Sequence, residues 1–220
     1  MLKNTIAFFK HKPSASIGFV FATGSLLLGI WVAALPGIKQ RLGFTDGTLG
    51  LSLLLAPAGS LTGVVISSFF FSRIKAGNWL LTGCFLQCVI FILQVTAPDK
   101  LTFWIVLYIG GLIGFLNGVS ANAIVDRMEK QYGRRIMSTC HGMYSLGGGI
   151  SAGLAAIFYY LHWTAITQIL IVVAVIVLIL LIIRSSLLSH SIFIHSDSSF
   201  AAPPVSIIGL AFICFVTFMG

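Results

Sequence analysis

The stretch NGVSANAIVDRMEKQYGRRIMSTCHGMYSLGGG, residues Asn117–Gly149, joins two apolar segments through a charged turn and places bulky polar side chains inside both of them. Amide, imidazole and phenol groups are disfavoured in hydrocarbon unless they face protein or a water-filled cavity. The groups concerned are Asn117, Asn122, His141 and Tyr144. We therefore interpret the stretch as part of a site inside a bundle of membrane-spanning helices.

The composition of the whole chain favours a bilayer as its surroundings. Apolar residues make up 58% of the sequence and charged residues only 8%, whereas a soluble domain has about a quarter charged residues. Runs of roughly 20 apolar residues, long enough to cross a membrane, predict an all-α, polytopic fold with six spans. These are Ser14–Leu35, Thr48–Phe71, Asn78–Ala97, Leu101–Ile124, Ile136–Leu161 and Thr164–Ile183.

Three regions are predicted along the chain. Residues 1–184 form the six-helix transmembrane bundle, residues 185–203 form a cytoplasmic central linker, and residues 204–220 begin a seventh transmembrane helix that is cut short. The first span is interpreted as an uncleaved helix, because its apolar run exceeds the roughly 7–15 residues of a signal-peptide core. Pro57 and Gly59 are expected to bend the second span, since proline removes a backbone donor and crowds the preceding turn.

The positive charges are distributed as in a multi-pass membrane protein. With the N terminus in the cytoplasm, ten of the thirteen lysines and arginines fall on cytoplasmic segments, and only Lys39, Arg41 and Lys100 fall outside. This is the positive-inside bias, so the net charge of +8 reports orientation and contact with the lipid bilayer. No nucleic-acid partner is predicted, because no module that would use the charge accompanies it.

The fourth span carries a ridge of glycines at spacings of four. Gly110, Gly114 and Gly118 would let another helix approach closely, and Asn122 extends the same ridge. At 100° per residue Asn117 lies about 140° from Asn122, so the two amides are not expected to face one cavity.

The fifth span separates a packing face from a polar face. The predicted packing stripe comprises Gly142, Gly149 and Gly153. The neighbouring polar stripe comprises His141, Tyr144, Ser145 and Gly148. In the third span Gln87 and Gln94 share a face, and they either line the same cavity or hydrogen-bond a neighbouring helix.

No metal or cofactor site is predicted. Cys84 and Cys88 share a helix face, but no histidine or carboxylate accompanies them in that helix. His190 and His195 fall in the predicted linker and are interpreted as solvated loop residues.

A faint internal repeat relates the two halves of the bundle. Gly29–Gly43 resembles Gly118–Gly133, and each segment ends in a basic turn closed by glycine. The similarity fits two copies of one three-helix unit, an arrangement common in transporters.

The sequence resembles the major facilitator superfamily over its whole length, in particular the bacterial sugar-permease-like transporters related to fucose permeases. The resemblance is carried by GIWVAALPGIKQRLG in the first span, by Asn122-Ala123 with Glu129 and Tyr132-Gly133-Arg134 in the fourth, and by MSTCHGMYSLGGG in the fifth. It implies an N-terminal six-helix bundle of two inverted three-helix repeats, in the bacterial inner membrane with the N terminus cytoplasmic. A C-terminal half, or a second copy of the chain, would be needed for alternating access and transport.

The chain departs from the family pattern at two places. Around Arg73, Ser68, Ser72 and Lys75 stand where the family's cytoplasmic gate signature has glycine, aspartate and glycine. No ionised residue falls well inside the six spans, so His141 is the only group there that could carry a coupling proton. A coupling carboxylate is therefore expected in the second half.

The resemblance favours a secondary transporter of a small polar, sugar-like solute, without enzymatic activity. Asn122 and His141 are the leading hydrogen-bond partners, Tyr144, Asn117 and Gln87 support them, and Trp31 is a stacking platform. Two structural alternatives remain open. Asn122 and His141 could hold their helices together, and Trp31 could anchor the first span at the membrane interface.

Two other functional classes are considered. A membrane-embedded hydrolase would pair Ser120 or Ser145 with His141, but the glycine expected after the serine is Asn122, and no oxyanion-hole motif follows. A remnant of a disrupted or truncated transporter gene would insert and pack without carrying solute.

Overall fold

The computed structural model describes residues 8–194 and shows long helices joined by short turns. The seven helices in this range are α1 Lys12–Leu42, α2 Asp46–Leu53, α3 Leu55–Arg73, α4 Ala76–Thr96, α5 Lys100–Tyr132, α6 Met137–Tyr160 and α7 Ala165–Ser189. No strand occurs in the described range. The predicted all-α fold is confirmed. The predicted seventh transmembrane helix, residues 204–220, lies outside the described residues.

The second predicted span is one rod with a break in it. Helices α2 and α3 follow each other directly, separated only by Leu54. Pro57 has no N–H to donate to the carbonyl of Leu53, and its ring crowds that carbonyl. At the break, the amide of Leu54 bonds the carbonyl of Leu51, three residues earlier, at 3.2 Å. The break therefore lies one turn before the proline.

Five rods are long and apolar enough to cross a membrane: α1, the α2–α3 rod, α4, α5 and α7. Helix α6 has a comparable length but is less apolar, because His141, several serines and a run of glycines interrupt its apolar residues. The fifth predicted span, Ile136–Leu161, is therefore a helix whose membrane location depends on its partners rather than on its own composition.

The helix contacts repeat within the bundle. Helix α1 packs most extensively against α6 and also against α7, while α5 packs against the α2–α3 rod and against α4. Suppose that α1 is exchanged with α5, the α2–α3 rod with α6, and α4 with α7. The α1–α6 pair then becomes the pair of α5 with the α2–α3 rod, and the α1–α7 pair becomes the α4–α5 pair. The α4–α7 pair is unchanged. The arrangement agrees with a bundle made of two three-helix repeats.

The turns that close the repeated segments share their geometry. Gly43 ends α1 with φ 63° and Gly133 ends α5 with φ 61°, a left-handed conformation that favours glycine. Four residues before each glycine, a charged side chain reaches the next helix. Lys39 Nζ bonds Asp46 Oδ1 at 2.5 Å, and Glu129 Oε1 accepts from the amides of Ile136 and Met137 at 2.6 and 2.8 Å.

The backbone-to-backbone helix contacts involve glycines that were not predicted. Gly59 lies against the carbonyl of Tyr108, and Gly111 lies against the carbonyl of Ala56, so α3 and α5 touch backbone to backbone. Gly147 similarly meets the carbonyl of Ala22 on α1. Of the predicted ridge, Gly110 does pack closely, since a β-carbon there would lie 2.8 Å from Ile90. The predicted packing stripe makes no such contact within the described residues, because a β-carbon on any of its three glycines would have no neighbour there within 4 Å. Those glycines are Gly142, Gly149 and Gly153.

Part of the predicted linker continues the bundle. Helix α7 runs to Ser189, past the boundary predicted at Arg184. The chain then crosses the start of α4, where the amide of Ala76 bonds the carbonyl of Ile192 at 2.6 Å and the amide of Asn78 bonds Ser191 Oγ at 3.1 Å. These bonds satisfy amides that a helix N-terminus leaves unpaired.

Candidate functional site

A cavity of about 500 Å³ opens among α1, α4, α5 and α6. Its volume lies within the range of about 300–1,000 Å³ that is usual for small-molecule sites. The polar side chains in its wall are Thr23, Gln87, Asn117, Asn122, His141 and Tyr144. The rest of the wall is mostly apolar, and no Asp, Glu, Lys or Arg occurs among the lining residues of the described chain.

Helix α5 contributes a stripe of five residues to the wall. They recur at the spacing of one broad helix face: Gly114, Asn117, Gly118, Ala121 and Asn122. The glycines occupy the middle of the stripe, and the two amides occupy its opposite edges. The prediction that Asn117 and Asn122 could not share a cavity is wrong, because a face about 140° wide has room for both amides.

Helix α4 brings Gln87 to the cavity beside Asn117. The side-chain oxygens Gln87 Oε1 and Asn117 Oδ1 are buried and have no hydrogen-bond partner within the described residues. Gly83 makes room for Asn117, since a β-carbon on Gly83 would collide with Asn117 Oδ1, whereas one on Gly114 would lie at an ordinary contact distance of 3.8 Å from Gln87 Oε1. A buried acceptor without a donor costs about 1–3 kcal/mol. Both oxygens are shielded by the packing of α4 against α5, so an occupant of the cavity would reach them only after the side chains turn.

Gln94 has a different environment from Gln87. Its side chain is buried, and Nε2 donates to the carbonyl of Val106 at 3.5 Å. It is absent from the cavity wall. Of the two explanations left open for the glutamines, the structure places Gln94 in helix packing and Gln87 at the cavity.

Helix α6 supplies His141 and Tyr144. The His141 ring lies edge-on to Phe21 of α1, with 5.4 Å between the ring centroids. Ser25 of α1 donates from Oγ to the carbonyl of Tyr144, which holds the two helices together at the cavity. Ser145, predicted on the same polar face, is not part of the wall, because its Oγ bonds the carbonyl of His141 at 3.3 Å.

The serines considered for hydrolysis are not arranged with the His141 ring. Ser120 is fully buried, and its Oγ has no hydrogen-bond partner in the described range. Ser145 bonds only the backbone of its own helix in that range. Nucleophilic activation of a serine requires a hydrogen bond to its base, and neither hydroxyl makes one to the imidazole.

Trp31 lies behind the cavity wall rather than on it. Its side chain is only 8% exposed and belongs to the apolar core. Its ring centroid lies 6.0 Å from that of Phe91, which does line the cavity. Trp31 therefore supports the wall through Phe91 and is neither a stacking surface of the cavity nor an exposed interfacial anchor.

Comparison with curated proteins gives three relatives that are similar to this chain in sequence. An uncharacterized MFS-type transporter of Yersinia pestis is 28% identical over 204 residues, covering 93% of this chain and 53% of the relative. The membrane protein MosC of Rhizobium meliloti is 26% identical over 168 residues, covering 74% and 41% of the two chains. An uncharacterized transporter of Sinorhizobium fredii is 25% identical over 167 residues, covering 70% and 43%.

The chain is similar in sequence to proteins named as transporters, one of them MFS-type. The resemblance to the major facilitator superfamily is thereby confirmed, without its sugar-permease branch. The chain spans about half the length of the curated relatives that it matches. No family model and no solved structure matches it. The relatives and the apolar helices together indicate a multi-pass membrane protein.

Two aromatic residues of the cavity wall were not predicted from the sequence. Phe21 of α1 and Phe91 of α4 both line the cavity, and each offers an apolar ring beside the polar groups. The sequence does contain a pattern for the α1 part of the wall. One face of α1 lines the cavity with residues at helical spacing, namely Val20, Thr23, Gly24, Leu27 and Leu28. An apolar stripe of this kind cannot be distinguished from a lipid-facing one without knowing which helices surround it.

Proposed function

We propose that the chain is one half of a secondary transporter for a small, neutral, polar solute with one apolar face, such as a sugar. The observation that supports this most strongly is the cavity itself, whose wall combines amide, imidazole and phenol groups with the aromatic rings of Phe21 and Phe91. Amides and imidazole both donate and accept hydrogen bonds, which matches hydroxyl groups. A ring face packs well on the apolar side of a pyranose.

The charge of the solute follows from the lining residues. A charged group in a cavity of low dielectric constant needs a counter-charge, and no Asp, Glu, Lys or Arg lines the wall in the described part of the chain. We therefore propose a neutral solute. A proton, if transport is coupled to one, would use His141 or a carboxylate supplied by the second half.

Alternating access would require a second wall. A six-helix bundle exposes its cavity on one side, and in major facilitator transporters two bundles enclose the solute between them. We propose that the partner is a C-terminal half or a second copy of this chain. The membrane would be the bacterial inner membrane, with the N terminus in the cytoplasm as the distribution of lysine and arginine indicates.

Uptake measurements test this proposal. Cells that express the protein from its complete reading frame should accumulate at least one radiolabelled neutral hexose, pentose or polyol above the level of empty-vector cells. They should accumulate the charged analogues glucosamine and glucuronate less well, because this half of the cleft provides no ionised partner for either charge.

Preferential uptake of a charged analogue would contradict the assignment of a neutral solute. An absence of uptake for every compound, with normal protein abundance in the membrane, would favour the remnant of a transporter gene instead.

A further inference from the structure

A second cavity lies at the end of the bundle that the proposed orientation places in the cytoplasm. It has a volume of about 150 Å³ and is lined by His11, Ser14, Met128, Tyr132, Arg134 and Ile136. These residues come from the start of α1, the end of α5 and the turn between α5 and α6. The volume would hold about five water molecules at roughly 30 Å³ each, so a compact polar group fits.

The lining groups form a connected polar cluster. His11 Nδ1 bonds Ser14 Oγ at 2.8 Å, and the His11 ring lies edge-on to Tyr132 with 4.5 Å between centroids. Tyr132 Oη bonds His190 Nε2 at 2.9 Å. The cluster therefore joins α1, α5 and the end of α7, and His190 is not the solvated loop residue predicted from the sequence.

The cluster carries positive charge without a negative partner in the described part of the chain. The Arg134 guanidinium makes no hydrogen bond or ion pair there. Of the nearby acids, Asp126 pairs with Lys130 at 2.7 Å, and Glu129 accepts from the amides of Ile136 and Met137 at the start of α6, next to the cavity. Burial lowers the pKa of His11, and the charges of Arg134 and His190 lower it further.

We propose that this cavity binds a phosphate group, held by the Arg134 guanidinium and the His11 imidazole. Arginine recognises phosphate through charge-assisted, paired hydrogen bonds. The cavity lies at the cytoplasmic end of the spans, where basic pockets between helices bind lipid headgroups. The phosphate comes either from an anionic lipid headgroup or from free phosphate in the cytoplasm.

The test uses the purified 220-residue chain and two substitutions that each remove one positive charge. Arg134→Gln removes the guanidinium at the cavity, while Arg135→Gln removes the neighbouring one, which does not line it. Retention of phosphatidylglycerol over phosphatidylcholine is measured by native mass spectrometry, and binding of inorganic phosphate by calorimetry. We expect about a tenfold loss for Arg134→Gln and little change for Arg135→Gln, as for removal of one charge-assisted contact.

The two arms identify the source of the phosphate. Selective loss of phosphatidylglycerol retention supports a lipid headgroup, and selective loss of phosphate binding supports the free ion. His11→Gln should weaken the same arm, which provides a second variant, and circular dichroism melting verifies that each variant is folded. Equal effects of the two arginine substitutions, or no binding of either probe by the unaltered chain, would overturn the proposal.

Discussion

Replacing Asn122 and His141 together by alanine is expected to lower solute uptake about 100-fold at solute concentrations below saturation. Each side chain lines the cavity from a different helix, so the double variant removes two hydrogen-bonding groups from its wall. One hydrogen bond to a polar ligand contributes about 1.4 kcal/mol, or a factor of about ten in affinity. Uptake of the solute identified in the panel, measured in whole cells, provides the test.

The control for this variant is Ser145→Ala on the same helix as His141. Ser145 is also a polar residue, but it does not line the cavity, and its hydroxyl donates to a backbone carbonyl. It should leave uptake unchanged. Membrane abundance of each variant is compared by immunoblotting. Full uptake by the double variant at normal abundance would mean that Asn122 and His141 serve helix packing, the alternative that the sequence left open.

Substituting alanine for Gly59 or Gly111 is expected to destabilise the bundle by about 3 kcal/mol per site, at the upper end of the usual cost of overpacking. Both glycines lie at the α3–α5 contact, where an added β-carbon would collide with the backbone of the other helix. Backbone cannot move aside as the end of a flexible side chain can. The helices would have to separate, and the hydrogen bond from Ser60 Oγ to the Gly111 carbonyl at 3.1 Å would weaken with them.

Gly142→Ala and Gly149→Ala are the matched controls. Both glycines lie inside a helix of the same bundle, but a β-carbon at either position would meet no atom within 4 Å. Alanine should stabilise these positions slightly, by about 0.5–1 kcal/mol, through its better helix propensity. Thermal unfolding in detergent, followed by circular dichroism, separates the two pairs. Equal melting temperatures for Gly111→Ala and Gly142→Ala would contradict the close α3–α5 contact.

Five of the six spans were predictable because each depends on a local quantity, the length of its apolar run. The polar stripe of α6 was also predictable in part, since His141 and Tyr144 follow from helical periodicity alone. The roles of the glycines were not. Whether a glycine packs or faces open space depends on where the neighbouring helix lies, and the stripe of Gly142, Gly149 and Gly153 looks in sequence like a packing face although it has no neighbour.

The site residues show the same division. The angle between Asn117 and Asn122 was correct, but the width of the face that the cavity exposes on α5 depends on the packing of α4 and α6 around it. Trp31 illustrates the reverse case, because its position near the end of a span agrees with interfacial anchoring while the tertiary contact with Phe91 buries it. Sequence periodicity predicts which residues share a face of each helix, and the packing of the helices determines what that face contacts.

The central claim is that the polar face of α5 and α6 lines a water-filled cavity rather than a helix interface or lipid. Cysteine accessibility tests this most directly on the chain itself, in a variant whose native cysteines are replaced by alanine. Asn122→Cys and His141→Cys are compared with Leu178→Cys and Ile182→Cys, which are exposed on the outer side of α7. A charged methanethiosulfonate reagent is added to opened membrane vesicles, so that it reaches both membrane surfaces.

We predict that the two cavity cysteines react at least about tenfold faster than the two on α7, because the reactive thiolate forms in water and is suppressed in apolar surroundings. Labelling of Asn122→Cys and His141→Cys at the slow rate of Leu178→Cys and Ile182→Cys would contradict a water-filled cavity, and with it the transport function proposed for this bundle.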